Sequence, residues 1–215
     1  MSGAPPLTPE ACAKALNVSR ETLGRLETYV DLLKRWQRRR NLVGRGTLAD
    51  VWRRHILDSG QLAAHLPAGT RRIVDLGSGA GLPGLVLAIL TGAETALVES
   101  DAAKAAFLAE AVRVTGAPCE IRRARIEDLD PWPVDVVTAR ALAPLPRLLE
   151  YAAPFCALTP DDPPLCIFPK GARWRGELTE SAAAWHISVR CAPSATEPAA
   201  RILIVERFAG TDRTA

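Results

Sequence analysis

Between Ile73 and Gly84 the chain reads Ile-Val-Asp-Leu-Gly-Ser-Gly-Ala-Gly-Leu-Pro-Gly, a short apolar run followed by four glycines within eight residues. Few folds accommodate such a segment. The run Ile73–Leu76 suits a buried strand, and the apolar residues after Pro83 suit a helix. Glycines between a strand and a helix supply positive φ for a sharp turn and remove the Cβ where a ligand lies against the main chain. In an open α/β sheet that turn lies at the carboxyl ends of the strands, where nucleotide-like cofactors bind. The segment predicts a Rossmann-like α/β domain with a cofactor cradle at Asp75, Gly77, Ser78, Gly79, Gly81 and Leu82.

The rest of the chain alternates accordingly. Strands are predicted at 73–76, 95–99, 120–122, 134–138 and 165–168, with helices at 83–90, 101–114, 145–153 and 175–184. Such alternation gives a mostly parallel sheet with helices on both faces. The last two strands, 187–190 and 201–207, have no helix between them, and the Ala192–Pro198 loop suits a hairpin. One of them must therefore run antiparallel, giving a mostly parallel seven-stranded sheet over residues 70–208. Upstream, Leu23, Leu26, Val30, Leu33 and Trp36 step by three and four, marking an amphipathic helix over 19–39 with Ser19 as N-cap. A second helix starts near Thr47 and carries Trp52, His55 and Ile56 to about His65. These make a small basic helical extension over 19–69. Residues 1–18 are expected to be disordered or loosely packed, and 209–215 to be a tail.

A chain of 215 residues supplies one α/β domain with a small appendage. Its longest apolar run, Leu85–Leu90, is too short to span a bilayer, and the first residues lack a basic segment leading into an apolar one. A cytoplasmic protein is expected. Five cysteines (Cys12, Cys119, Cys156, Cys166, Cys191) without a Cys-x-x-Cys pair, and three isolated histidines, point to neither a disulfide framework nor a metal site. The net charge of +3 hides an asymmetry: residues 20–72 carry 12 Lys/Arg against 5 Asp/Glu, residues 73–215 carry 14 against 18. A basic first third suits a polyanion. Its candidate contacts are Lys34, Arg35, Arg38, Arg39, Arg40, Arg45 and Arg53.

Gly79-Ala-Gly81-Leu-Pro-Gly84 formally fits the dinucleotide fingerprint, but Asp75 would crowd a pyrophosphate, and counted from the strand the spacing is Gly-x-Gly-x-Gly. A cofactor that is cationic near its reactive end suits this acidic edge better, and S-adenosylmethionine carries a sulfonium and an ammonium. Glu99, 22 residues beyond Gly77, ends the second strand, where a carboxylate accepts ribose hydroxyls of either cofactor. Ile126 and Glu127 follow the third strand, placed to pack on an adenine and to bond its edge.

Asp-x-Gly-x-Gly-x-Gly, the acid ending the second strand and the final hairpin resemble class I S-adenosylmethionine-dependent methyltransferases. More narrowly, Asn41-Leu42, Arg54-His55-Ile56-Leu57-Asp58-Ser59, Gly81-Leu82-Pro83-Gly84, Arg140-Ala141 and Lys170-Gly171, in this order, resemble the RsmG (GidB) family of bacterial small-subunit ribosomal RNA guanine-N7 methyltransferases. The resemblance covers residues 20–208 and is weakest at the termini and the Asp161-Asp162-Pro163-Pro164 loop. It implies transfer to N7 of a guanine in the 530 loop of 16S rRNA, the rRNA or small ribosomal subunit as partner, and cofactor contacts at Gly77, Leu82, Ile126, Glu127 and Arg140.

The residues agree with that chemistry. No Asn/Asp-Pro-Pro-Tyr follows the fourth strand, where Thr138-Ala139-Arg140-Ala141-Leu142 stands instead. Cys119 opens the third strand, far from the reactive edge that a nucleophilic thiolate would occupy. Guanine N7 has a free lone pair and needs no general base, so catalysis rests on orientation. Arg140 and Lys170, just past the fourth and fifth strands, are the expected positioning residues. Arg140 would meet the cofactor carboxylate or stack on the base, and Lys170 a phosphate or guanine O6. Arg125 and Lys170 extend the RNA-contact set. His55 and Asp58, three apart on one helix face, read as a structural pair locking the helical unit to the main domain. A monomer is expected. The rivals are a small-molecule or protein methyltransferase, whose RNA binding would be weak and insensitive to salt, a nucleic-acid-binding module without cofactor, and an NAD enzyme.

Overall fold

The computed structural model describes residues 5–211, and the outermost parts of the predicted terminal segments lie outside them. Its seven strands are β1 (Arg72–Leu76), β2 (Glu94–Val98), β3 (Cys119–Arg122), β4 (Val136–Thr138), β5 (Leu165–Lys170), β6 (Trp185–Pro193) and β7 (Arg201–Gly210). They form one sheet in the order β3-β2-β1-β4-β5-β7-β6. The first five are parallel, and β7 runs antiparallel to both β5 and β6. The predicted hairpin is present but longer: Ala209 and Gly210 pair with His186 and Trp185, so the tail begins later than expected.

Strand alternation divides the core. Ile73, Val136, Ile167 and Ile202 face α4 (Gly84–Thr91), through Leu87, and Leu62. Val74, Val137, Cys166, Phe168 and Leu203 face α6 (Leu145–Ala157), which brings Leu145, Leu148, Leu149 and Phe155. Two further helices, α5 (Ala102–Thr115) and α7 (Trp174–Ser181), complete the layers. The strand order reverses between β1 and β4, so the loops after these strands diverge and leave a crevice at the carboxyl edge.

The N-terminal part corrects two expectations. Among the described residues preceding Ser19 there is a helix: α1 (Pro9–Leu16) is capped by Thr8, whose hydroxyl accepts from the Ala11 amide, with Pro at the first helical position. Cys12 is fully buried, and the Leu7 amide donates to Asp50. Nor does residue 69 separate two cores. Cys12 of α1, together with Leu26, Tyr29 and Leu33 of α2 (Arg20–Gln37), forms one cluster with Leu85, Val86 and Ile89 of α4 and Phe107 and Leu108 of α5. Ser19 caps α2 as expected, accepting from the Thr22 amide at 3.1 Å. Trp36 packs edge-on against Phe107 and donates to Glu110, a core role.

The second predicted helix is instead a chain of short turns: 3-10 at Arg45–Asp50, a π-turn at Trp52–Leu57, a single α turn α3 (Asp58–Gly60) and 3-10 again at Gln61–His65. Gly60 lies against α1, where a Cβ would stand 2.7 Å from Leu16 Cδ1. Widened turns of this kind recur at functional sites, and this one carries Arg54, His55 and the approach to Asp58.

Candidate active site

The glycine turn follows β1 directly. Gly77 has φ +66°, and a Cβ there would stand 2.6 Å from Leu142 Cδ1. The Ser78 amide donates to the Val98 carbonyl of β2, and the Gly79 amide donates to Glu99 Oε2 at 2.9 Å. Glu99 Oε1 accepts from the Asp101 amide at 2.8 Å, so the carboxylate is fixed at the end of β2. The Tyr29 hydroxyl donates to the Ala80 carbonyl at 2.6 Å, bracing the turn from α2.

Above this turn opens a cavity of about 540 Å³, lined by Gly77, Ser78, Gly79, Leu82, Glu99, Ile126, Glu127 and Arg140 among others. Eight predicted cofactor residues thus meet in one place. Arg125 of the expected RNA set also lines it, 3.9 Å from Glu127. Glu127 accepts from Tyr151 and Arg147, and its carboxyl is held below the usual range by a backbone amide and the Tyr151 hydroxyl. Leu42, Val43 and Gly44 close one side, a contribution that sequence reasoning missed although the glycine-flanked break after α2 marked it.

Two expected members are elsewhere. Asp75 is fully buried beneath the turn, with Oδ2 accepting from the Gly84 amide at 3.0 Å and Oδ1 without a partner. Burial pushes its carboxyl up to about 7, and because it lies under the turn and outside the cavity lining it forms no acidic edge for a cationic ligand. Gly81 faces Leu85 and Leu108 in the core.

Arg140, at the exit of β4, is the best-fastened side chain of the site. Its Nη1 donates to Asp58 Oδ2 at 2.8 Å and to the Arg54 carbonyl at 3.2 Å, and Nη2 donates to His55 Nδ1 at 3.1 Å. A guanidinium is donor-only, so His55 Nδ1 accepts and Nε2–H donates to Thr47 Oγ1, 2.7 Å away. Burial and the adjacent Arg140 charge lower the His55 pKa to about 4, and the ring is neutral. Asp58 Oδ1 in turn accepts from Thr196 in the β6–β7 loop at 2.6 Å. His55 and Asp58 therefore join the helical unit to the sheet by gripping Arg140 rather than each other.

A second cavity, of about 600 Å³, shares His55, Arg140, Ala141 and Leu142 with the first and extends toward β5 and β7, past Lys170, Arg173 and Thr196. Ala141 sits in the left-handed region at φ +54°, a strained position for a residue with a Cβ. Lys170 corrects an expectation. Its ammonium pairs with Glu177 at 2.6 Å and donates to the Ala143 carbonyl, with both side chains nearly buried, so it props the 141–144 loop instead of reaching for a phosphate. Arg53 is likewise engaged, by Asp50 and the Pro5 carbonyl. Lys34, Arg35, Arg38, Arg39, Arg40 and Arg45 are exposed and, among the described residues, make no ion pair.

Among the described residues no three His, Cys, Asp or Glu side chains are placed to share a metal ion, and no helix is long and apolar enough to cross a membrane. The family described as rRNA small subunit methyltransferase G (GidB) matches residues 22–198. The chain belongs to this family. Ribosomal RNA small subunit methyltransferase G of Rhodospirillum rubrum is 53% identical over 92% of this chain and 96% of its own length. The protein of the same name from Cereibacter sphaeroides is 44% identical over 94% of this chain and 99% of its own. Among solved structures, a mutant of MtNAS in complex with S-adenosylmethionine aligns at TM-score 0.56 and 15% identity, covering 94% of this chain and 84% of that one. M. jannaschii TYW2 in complex with AdoMet aligns at 0.54 and 14%, covering 73% and 76%. These two likenesses concern the fold. In this methyltransferase G family member, the two cavities meet at the Arg140–Leu142 segment.

Proposed function

We propose that this protein transfers the methyl group of S-adenosylmethionine to N7 of a guanine in the 530 loop of 16S rRNA, in the cytoplasm. The observation that carries the reading is the pair of adjoining cavities, one on the glycine turn and one toward β5 and β7, separated by Arg140 and Leu142. A volume of about 540 Å³ suits a nucleoside cofactor. Gly77 brings its backbone against Leu142 on the cavity lining, where a Cβ would not fit, and Glu99 keeps a fixed carboxylate at the same turn. When bound, the cofactor supplies a sulfonium methyl group open to in-line displacement.

The chain's own residues then bind and orient. Glu99 accepts the ribose hydroxyls and Ile126 packs on the adenine. Arg140, held by three acceptors, offers a stationary guanidinium at the junction, to the cofactor carboxylate or to the base. His55 has both ring nitrogens in hydrogen bonds and takes no proton, consistent with an acceptor whose lone pair is already free. The rate then comes from holding N7 in line with the methyl group. The exposed Lys34–Arg40 run lies beside the Leu42–Gly44 wall of the first cavity, where it meets the phosphates of a loop whose bases are splayed out. Action as a monomer belongs to the same reading.

The test is transfer of labelled methyl groups to 16S rRNA or 30S particles from cells lacking the modification, with borohydride and aniline cleavage to locate N7-methylguanine. A single cleavage in the 530 loop, lost in Gly77→Asp, is the expected result. Tight cofactor binding without transfer to RNA would redirect the reading to a small-molecule or protein acceptor, and absence of cofactor binding would reject it.

A further inference from the structure

The charge asymmetry of the sequence directs attention to the N-terminal third, and the sheet-forming body is net acidic. That body nevertheless carries two closely spaced arginines, Arg173 and Arg175, just past β5. The loop leaving β5 reads Gly171-Ala172-Arg173-Trp174-Arg175 and leads into α7. Arg173 and Arg175 are exposed and, among the described residues, have no acidic partner. Arg173 lines the second cavity. The Arg175 guanidinium lies 4.8 Å from the centre of the half-buried Trp174 ring, and that of Arg201 lies 5.7 Å from it. Arg201 is itself fastened by the Pro198 and Ala200 carbonyls. The nearest acid along the helix, Glu177, is committed to Lys170 and to the Leu145 amide, so it does not neutralise the arginines. Glu180 and Glu197 are the exposed acids of this neighbourhood.

We propose that Arg173, Trp174 and Arg175 form a second RNA-contact surface, which takes the strand on the far side of the acceptor nucleotide from the N-terminal basic run. The proposal rests on the methyltransferase reading above. A nucleotide seated in the second cavity is chained at both its 5′ and 3′ sides, and each side must leave over a rim. One rim belongs to the helical unit, with Thr47 and Arg54. The opposite rim is the β5 exit with Arg173. Two exposed guanidiniums on either side of Trp174 in the sequence, that of Arg175 lying against its ring, match a single-stranded segment, since phosphates take the charge and an unstacked base packs beside the half-buried indole. The acceptor strand is thus gripped from two sides, and the 141–144 loop, braced by Lys170, lies between the grips.

The decisive measurement is salt dependence. The double variant Arg173→Ala/Arg175→Ala, its Lys/Lys counterpart and the wild-type protein are compared for 16S rRNA binding across a salt series and for methyl-transfer kinetics, cofactor affinity and melting temperature. Removing two phosphate contacts is expected to lower the slope of log K against log salt by about 1.5 and to raise the KM for RNA about 10-fold or more. The cofactor Kd stays unchanged, and the Lys/Lys variant keeps most of the slope. An unchanged slope with a lowered melting temperature would overturn the proposal, leaving the arginines as a cover for Trp174. A defect seen with 30S particles but not with naked 16S rRNA would also overturn it, pointing to a protein contact. A wild-type protein that methylates no RNA defeats the underlying reading, whereas an active wild type with indifferent variants defeats this surface alone.

Discussion

Replacing Asp75 by asparagine is expected to change how stability depends on pH, and the direction follows from burial. The Asp75 carboxyl, fully buried and pushed up to about 7, keeps its proton in the folded protein where the unfolded chain, with an ordinary value of 3.8, has already lost it. The folded state then binds more protons than the unfolded state, so this group makes stability fall as pH rises from about 4 to about 7. His55 acts in the opposite sense. Its folded value of about 4 lies below the ordinary 6.5, so its contribution is present above 6.5 and is lost as pH falls toward 4. Between pH 5 and pH 7.5 the Asp75 contribution falls by about 2.5 kcal/mol and that of His55 rises by about 2 kcal/mol.

The two nearly cancel, and the wild-type stability curve is expected to be almost flat over that window as far as these groups decide it. Asp75→Asn, which keeps a carbonyl for the Gly84 amide, exposes the His55 trend and gains about 2 kcal/mol from pH 5 to pH 7.5 relative to its own acid value. His55→Gln exposes the Asp75 trend and loses about 2.5 kcal/mol over the same range. Urea unfolding followed by tryptophan fluorescence at half-unit pH steps measures both, and all other titrating groups drop out of the differences. An Asp75→Asn curve parallel to the wild type would refute the reasoning, because the carboxyl would then ionise normally in the folded state.

Other substitutions test the site itself. Gly77→Ala forces a Cβ at φ +66° and 2.6 Å from Leu142 Cδ1; at about 1–2 kcal/mol for the left-handed conformation alone, cofactor affinity by calorimetry is expected to drop about 10-fold or more. Gly84→Ala sets a Cβ 2.5 Å from Asp75 Cβ and 2.7 Å from Leu97 Cδ2, and thermal melts should show a loss of about 1–3 kcal/mol. Glu99→Gln removes the charge from the fixed acceptor and is expected to weaken cofactor binding about 10-fold, with adenosine affinity falling in parallel. Arg140→Lys loses the fork that engages Asp58, the Arg54 carbonyl and His55 together, and kcat/KM should fall about 10- to 100-fold; a change confined to melting temperature would make Arg140 a structural tie only.

Much of the fold was legible because hydrophobic alternation and glycine placement are local signals. The glycine turn, Glu99 and the final hairpin could all be placed from spacing. Asp75 could not, because its role depends on which face of β1 it occupies. It shares the Ile73 face, which lies under α4, and so it points at the Gly84 amide and away from the cavity. Lys170 failed for a similar reason: its partner Glu177 belongs to the next helix, and only the fold brings the two within 2.6 Å. The short α1 did carry a signal, in Thr8-Pro9 at its start, which is an N-cap followed by proline at the first helical position. The π-turn at Trp52–Leu57 has no periodicity of its own and was invisible in advance.

The position of Arg140 shows why the helical unit belongs to the candidate active site. None of its three acceptors lies in the sheet: Asp58, His55 and the Arg54 carbonyl all come from the segment before β1, and Thr196 steadies Asp58 from the β6–β7 loop. A guanidinium at the mouth of β4 without them would be free to turn into either cavity, and the boundary between cofactor and acceptor would lose its fixed charge. The same unit braces the glycine turn through Tyr29 and shares its core with α4 and α5. On the function proposed above, the basic run Lys34–Arg40 leads directly into the Leu42–Gly44 wall of the first cavity, and phosphate contacts made on it would bear on the helical unit that holds Arg140 in place.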